Sequence, residues 1–580
     1  MLIDFLTASH EMARIGTAMW IGMHAAASHV ISGPSRRTVP FFPERLSVPP
    51  PSRADAHANF ASGNLPPRPI LTAADIRASV VPDQQILVLS NREPCMHERT
   101  ASGGVVSSRP AGGLVAALEP VVQACRGVWV AHGSGSADRL VTDARGHVTV
   151  QSGDSSYVLR RVWLSPQEQR GYYYGFANEG LWPLCHRAFS APIFRRRDWT
   201  AYERVNRRFA DAVAAEIQTE HPVVLVQDYH LALVPRMLRA RCPGAVIVSF
   251  WHIPWPAADQ LALCPYGRDL LQGLLGGDIL GFQTPVHCEN FLQSVDSLEG
   301  VAVDRQRQMV LHPDGTAHVR SYPISVEWPI RWTAQIPAAG ECRRAVRAEL
   351  RLDQTCSLVV SIDRLDYTKG FEERLAAIER LLEMSHSGRR VAFLQIAAPS
   401  RVAISRYADL AARVRSHVAL INQRFGDERF TPVTFVERHT EPADVFRCYR
   451  AADVCYVSSL DDGMNLVAKE FVAARDDEQG VLVLSRFAGA ARELTDALIV
   501  NPYDVDGVAE ALTRALNLTS AEQQTRMRLM RRRVAEHNVY RWACEILADA
   551  GCVRRHETLT VPAQTGRSAQ VRGRSAGQAP

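Results

Sequence analysis

The sequence predicts an α/β protein made of two doubly wound parallel-sheet domains, and three observations predict it. From Gln85 onward, short β-branched or leucine-rich runs alternate with amphipathic segments, the pattern of βαβ units on a parallel sheet. The runs are continuously apolar rather than alternating, as strands covered on both faces must be. Polar and ionisable residues then follow one run after another, at the carboxyl ends where open parallel sheets bind ligands.

Taken in order, residues 1–80 are rich in Ala, Pro, Ser and Arg, with Pro49-Pro50-Pro51 and Pro66-Pro67, and read as a loose extension. The run 86–89 leads into Ser90-Asn91-Arg92, the run 223–226 into Gln227-Asp228-Tyr229-His230, and the run 246–250 into Trp251-His252-Ile253-Pro254. At Tyr322-Pro323-Ile324-Ser325-Val326-Glu327-Trp328-Pro329 two prolines bracket a short extended segment suited to an interdomain hinge. Beyond it, the run 358–362 precedes Arg364 and Lys369, 391–396 precedes Arg401, and 454–457 precedes Asp461-Asp462-Gly463; 433–436 and 481–484 complete the set. Between runs, Phe371, Leu375, Ile378, Leu381 and Leu382 recur at helical spacing on one face. The expected domains are residues 81–325 and 326–535, with a polar tail at 556–580 expected to be disordered.

Bulk properties exclude several classes. A chain of 580 residues exceeds one comfortable core, and 46% hydrophobic with 22% charged residues is globular composition. The best apolar stretch, residues 15–31, holds His24 and His29 and makes neither a persuasive signal peptide nor an anchor. A net charge of +5 is small for this length, and Arg195-Arg196-Arg197 and Arg531-Arg532-Arg533 read as solvated faces, so no nucleic-acid partner is expected. Twelve cysteines without a C-x-x-C pair imply reduced thiols and a cytoplasmic location. No metal site and no cofactor are expected: His230 and His252 lack partners at ligating spacing, and Asp504-Val505-Asp506 reads as a helix cap. The Gly133-Ser134-Gly135-Ser136 loop lacks the third glycine of a dinucleotide fingerprint, which disfavours an oxidoreductase.

Only two lysines occur, Lys369 and Lys469, although Lys and Arg together number 66. A position that keeps a compact ammonium against such a bias points to phosphate chemistry, more so for Lys369 than for Lys469, whose neighbours suggest an ordinary helix. From Asp462 the chain reads as a helix entered through a turn, with Asp462 suited to the N-cap and Gly463 allowing close backbone approach. Its first amides suit a diphosphate, Arg364 and Lys369 add full charges, and Glu470, about two turns on, is placed to accept from ribose hydroxyls.

Together these strings resemble the trehalose-6-phosphate synthase family, retaining glycosyltransferases of GT-B architecture, over about residues 85–550. The matching segments are Ser90-Asn91-Arg92, Ala111-Gly112-Gly113-Leu114, Leu181-Trp182-Pro183, Asp228-Tyr229-His230, His252-Ile253-Pro254, Arg364 through Gly370, Ala398-Pro399-Ser400-Arg401, and Asp462-Gly463-Met464-Asn465-Leu466 through Glu470. The resemblance implies glucosyl transfer from a nucleotide sugar, UDP-glucose, to glucose 6-phosphate, giving trehalose 6-phosphate and UDP. It implies that Arg364 and Lys369 grip the diphosphate, Glu470 the ribose and Gly113 the phosphates through its backbone. Asp462 and His252 would hold the transferred glucose, and Asp228, Tyr173, Trp182 and Arg401 the acceptor, with Arg92 near both phosphate groups. It also implies a front-face mechanism without a carboxylate nucleophile, and a last helix near 536–555 that crosses back onto the first domain. Two positions depart from the pattern: His132 stands where an acceptor-side tryptophan is usual, and Asp461 where arginine is usual. They leave the donor signature intact and keep open a glucosylglycerol-phosphate synthase using glycerol 3-phosphate. A catalytically silent regulatory member is a further alternative that loss of a cleft cation or of Glu470 would favour, and the sequence shows no such loss; the donor base and homo-oligomerisation are open too.

Overall fold

The structure, a computed structural model, describes residues 68–79, 84–108, 113–152, 155–385 and 390–555. The first half supplies β1 (Ile86–Ser90), β2 (Met96–Arg99), β3 (Val105–Ser108), β4 (Val128–His132), β5 (His147–Ser152), β6 (Ser155–Val162), β7 (Val223–Gln227), β8 (Val246–Trp251) and β9 (Ile279–Phe282). It ends with β10 (Ala302–Asp304), β11 (Met309–His312) and β12 (Gly315–Ser321). The second half supplies β13 (Ser357–Arg364), β14 (Val391–Ala398), β15 (Val433–Val436), β16 (Val454–Val457), β17 (Val481–Ser485) and β18 (Leu498–Val500).

One ten-stranded sheet has the order β10-β11-β12-β9-β8-β7-β1-β4-β6-β5, and a six-stranded sheet the order β15-β14-β13-β16-β17-β18. Every pairing in the second sheet is parallel, and the first is parallel from β12 to β6. All eight apolar runs are strands. β1, β7, β8 and β17 are buried along their whole length, as their Val, Leu and Ile content requires. The antiparallel edge strands β5, β10 and β11 are interrupted by exposed or half-exposed positions, which hides them from a reading based on continuous apolar runs.

Sheet order reverses between β1 and β7 in the first sheet and between β13 and β16 in the second. Ligands bind where strand order reverses. Of the segments after these strands, Asn91, Arg92, Asp228, Tyr229 and His230 on one side and Arg364, Lys369 and Asp462 on the other line one cleft.

The periodic helix is Phe371–Met384, with Phe371, Leu375, Ile378 and Leu381 buried. Asp504 caps the helix Val505–Asn517 through its side chain, which accepts from the Gly507 amide. The last helix, Val539–Arg554, lies on the first sheet: Trp542 meets Phe250 of β8 at 5.3 Å, and the Tyr322 hydroxyl donates to Asp549. Against the expectation of a loose extension to residue 80, Ala73–Ser79 is helical. Thr72 and Asp75 close its first turn, Ile76 is fully buried, and Asn538 donates to the Leu71 carbonyl at 2.8 Å. Residues 1–67 of the extension and the tail at 556–580 lie outside the described residues.

The segment 322–329 runs without regular structure between the sheets. Lys469 is part of its anchorage rather than of phosphate chemistry. Only 1% exposed, its ammonium donates to the Ile324 carbonyl and pairs with Glu493, each at 2.8 Å. Among the described residues no helix is long and apolar enough to cross a membrane.

Candidate active site

The cleft encloses about 470 Å³ and is lined from both sheets. Of the residues singled out in the sequence, it gathers Arg92, Tyr173, Trp182, Asp228, His252, Arg364, Lys369, Arg401, Asp462, Met464, Asn465, Leu466 and Glu470.

On the wall of the second sheet, β13 ends at Arg364 and the chain turns through a 3₁₀ segment, Tyr367–Lys369. Asp366 caps it, accepting from the Thr368 amide at 3.1 Å. Gly370 then takes φ 65°, and a Cβ there would lie 2.5 Å from the Ser458 carbonyl, so only glycine lets Lys369 leave this turn toward the cleft. The Lys369 ammonium pairs with Asp462. Burial works to raise the Asp462 carboxyl, but Lys369 holds it below the ordinary carboxylate range.

The helix does not begin at Asp462. Asn465, in the left-handed region at φ 73°, caps the helix Leu466–Ala474 by accepting from the Ala468 amide, and its own amide donates to Asp462 at 3.1 Å. A carboxylate already committed to an ammonium is a poor cap, which is why the amide side chain three residues on takes that part. The open amides of Leu466 and Val467 therefore start the helix at the cleft, a ready anion site. Glu470 follows by just over one turn, about 6 Å along the axis, not two turns. The Tyr449 hydroxyl donates to it at 3.2 Å, and burial pushes its carboxyl up to about 7.

Gly463 meets protein rather than ligand. A Cβ there would lie 2.2 Å from the carbonyl oxygen of His252, across the cleft. The glycine is what allows the two walls to touch.

On the opposite wall, Tyr173 sits on a π-helical run, Arg170–Leu181, that passes into the short helix Trp182–Cys185. Burial raises the Tyr173 phenol, yet Arg401, Arg92 and Arg364 together bring it below its ordinary value. Three guanidiniums thus converge on one hydroxyl. Arg401 lies 3.9 Å over the Trp182 ring, pairs with Asp366 and donates to the Tyr407 hydroxyl at 2.8 Å. The Trp182 indole donates to the same Asp366 at 3.3 Å.

Asp228 occupies φ 74°, rare for a non-glycine residue and characteristic of strained functional positions. Its carboxylate accepts from the His252 amide at 3.3 Å and stands 3.6 Å from Nδ1 of His230, whose ring stacks on Tyr173 at 5.7 Å. His252 donates from Nε2 to the Gln227 side-chain oxygen at 2.8 Å, and burial lowers its pKa to about 4, so the ring is neutral at physiological pH.

One expected residue is elsewhere. His132 is buried at the end of β4, its amide bonded to the Asn91 carbonyl at 3.3 Å, and it does not line the cleft. Gly113 opens the helix Gly113–Cys125, of which Val115, Ala117 and Glu119 reach the cleft; Ala111 and Gly112 lie outside the described residues. Asp461 also points away from the cavity. It receives the amide of Arg187 at 2.9 Å and its guanidinium at 3.0 and 3.2 Å, a bidentate clasp between the two walls. Asp366, Tyr449 and His186 line or support the site without having been assigned a part; Asp366 lay within a quoted string, while the others carried no sequence signal. Among the described residues no group of three or more His, Cys, Asp or Glu could hold a metal ion.

A cleft of this make suits exchange between two anionic ligands, and the class it defines is that of the two-domain GT-B glycosyltransferases. The model of glycosyltransferase family 20 matches residues 84–551, and the chain belongs to that family. It is 38% identical over 470 residues to the trehalose-6-phosphate synthase of Mycobacterium sp. strain KMS, covering 80% of this chain and 94% of that protein. The trehalose-6-phosphate synthase of Mycobacterium marinum is 38% identical over 485 residues, covering 82% and 95%. Among solved structures, the E. coli protein bound with UDP-2-fluoro glucose superimposes with a TM-score of 0.70 at 33% identity, covering 80% of this chain and 99% of that one. An α,α-trehalose-phosphate synthase (UDP-forming) from Burkholderia xenovorans in complex with glucose 6-phosphate gives 0.70 at 35% identity, covering 80% and 100%.

Proposed function

We propose that this enzyme transfers glucose from UDP-glucose to glucose 6-phosphate, forming α,α-trehalose 6-phosphate and UDP. One observation carries the reading: a single cavity holds Arg92 and Arg401 at Tyr173 and the Lys369 ammonium beside an open helix start, with Arg364 in the same lining and also acting on Tyr173. Two phosphorylated ligands each need such cations. In this reading residues 81–325 serve the acceptor and residues 326–535 the nucleotide sugar. Arg364 and Lys369 with the Leu466 and Val467 amides take the diphosphate, and Glu470 takes the ribose. Asp462 and His252 hold the transferred glucose, while Tyr173, Trp182, Asp228, Arg92 and Arg401 hold the sugar phosphate. Free cysteines throughout the described chain support a reducing, cytoplasmic setting.

Catalysis then rests on charge and position. The acceptor hydroxyl attacks the anomeric carbon on the face from which the diphosphate departs, and its proton passes to the leaving phosphate oxygen. Lys369 and Arg364 stabilise the negative charge that grows there.

The test is product identification. Purified protein is supplied with UDP-, ADP- or GDP-glucose and either glucose 6-phosphate or glycerol 3-phosphate. Trehalose 6-phosphate from UDP-glucose is expected; product from glycerol 3-phosphate alone overturns the acceptor assignment.

A pH dependence follows from Glu470. With its folded pKa near 7, above the ordinary value for a free carboxyl, its proton-linked stability is fully present at acid pH and is lost as pH rises through 7. Donor binding has the opposite sign, because the ionised carboxylate is the better acceptor for ribose hydroxyls. The KM for UDP-glucose is expected to fall between pH 6 and pH 8 in the wild type, and to lose that step in Glu470→Gln. An unchanged step in the variant removes Glu470 from the ribose site.

A further inference from the structure

His186 lies on the seam between the two subsites, and neither the family segments nor the roles above use it. It is 3% exposed and lines the cleft. Its ring packs on Trp182 with centroids 4.2 Å apart, and its Nδ1 lies 2.7 Å from the Trp182 carbonyl oxygen. A carbonyl only accepts, so Nδ1 carries the proton and Nε2 the lone pair. Burial pulls its pKa below the ordinary histidine value despite the carboxylates of Asp461, Asp366 and Asp462 nearby, so the ring is neutral.

Each of those carboxylates already has a cation: Arg187 on Asp461, Arg401 on Asp366 and Lys369 on Asp462. None needs a proton from the ring. No described residue bonds Nε2. Nor is it among the fully enclosed atoms without a partner, where Nε2 of His230 belongs, so it keeps an opening to the cavity. A fixed, neutral, acceptor-only nitrogen at the junction of two sugar subsites suits one kind of group, a hydroxyl that donates to it.

We propose that His186 reads a sugar hydroxyl in the cleft, accepting from it through Nε2 while its Nδ1 proton holds the backbone that carries Trp182. The inference rests on the functional reading given above. It makes the enzyme selective for a sugar that bears this hydroxyl over one with hydrogen in its place. Geometry admits either the transferred glucose or the acceptor, since the ring packs on Trp182 and also feels the Asp462 carboxylate.

The experiment is a coupling analysis with wild type and His186→Asn, which keeps a donor near the Nδ1 position but loses the Nε2 lone pair. Both are assayed with UDP-glucose and glucose 6-phosphate and with analogues of each that lack one hydroxyl at a time. The variant is expected to lose about tenfold in kcat/KM on the full substrates, the scale of one hydrogen bond. On the one analogue lacking the hydroxyl read by His186, it loses nothing further. Non-additivity with a donor analogue places the hydroxyl on the transferred glucose; with an acceptor analogue, on the acceptor. Equal loss on every analogue, or no loss, overturns the proposal. Should the variant fold poorly, ¹⁵N-histidine labelling of the wild type serves: substrate is expected to move the Nε2 resonance of one neutral, Nδ1-protonated ring, the matching deoxy analogue is expected to leave it in place, and an unresponsive resonance sinks the proposal. Absence of any transfer product from wild-type protein would instead refute the functional reading itself.

Discussion

Lys369→Ala is expected to lower kcat by about 10²–10³, the scale for losing one preorganised charge stabiliser. In the proposed reading the departing diphosphate gathers charge as the sugar–phosphate bond breaks, and the Lys369 ammonium stabilises it. Lys369 pairs with Asp462. The alanine variant therefore also leaves a buried carboxylate without its partner. Thermal unfolding separates the two effects: a lower Tm reports the orphaned Asp462, whereas the loss of kcat at saturating donor reports the chemistry. Lys369→Arg is not a rescue, because a planar fork cannot occupy the place of a compact ammonium held behind Gly370. Near-native kcat in Lys369→Ala would remove the residue from the reaction.

Gly463→Ala is expected to cost about a hundredfold in kcat/KM with Tm close to that of the wild type, since a displacement of about 1 Å at reacting groups can cost 10²-fold. The added methyl would fall 2.2 Å from the His252 carbonyl on the facing wall. A backbone oxygen at the end of a buried strand cannot yield, so the walls must part. Each sheet keeps its own core, but His252 and Asp462, which in the proposed reading hold the transferred glucose, are drawn apart. Wild-type kcat/KM in this variant would mean that such close apposition plays no part in turnover.

The parallel strands were legible because burial on both faces leaves no choice but continuous Val, Ile and Leu. The charged residues after them were legible because strand ends at a switch point are where the chain can place a functional group. The half-exposed edge strands had no such mark. Nor did the π-helical run Arg170–Leu181, with glycines at 171, 175 and 180, betray itself by periodicity, and Tyr173 came into view only through the family resemblance. Supporting contacts were hidden by separation along the chain. Tyr449 reaches Glu470 across 21 residues, Arg401 reaches Asp366 across 35, and Arg187 reaches Asp461 across 274. The resemblance also carried His132 to the acceptor by position alone, whereas the end of β4 turns that ring into the protein. Asp462 as a helix cap failed for a local reason, its commitment to Lys369.

The last helix, Val539–Arg554, sets the timetable of biosynthesis. Trp542 covers Phe250 of β8, a residue that leaves the ribosome almost three hundred positions earlier. A nascent first domain must wait, with one apolar flank bare, until the second has been made, a state open to aggregation and to capture by chaperones. Loss of the carboxyl-terminal helix would therefore harm the amino-terminal half of the molecule first.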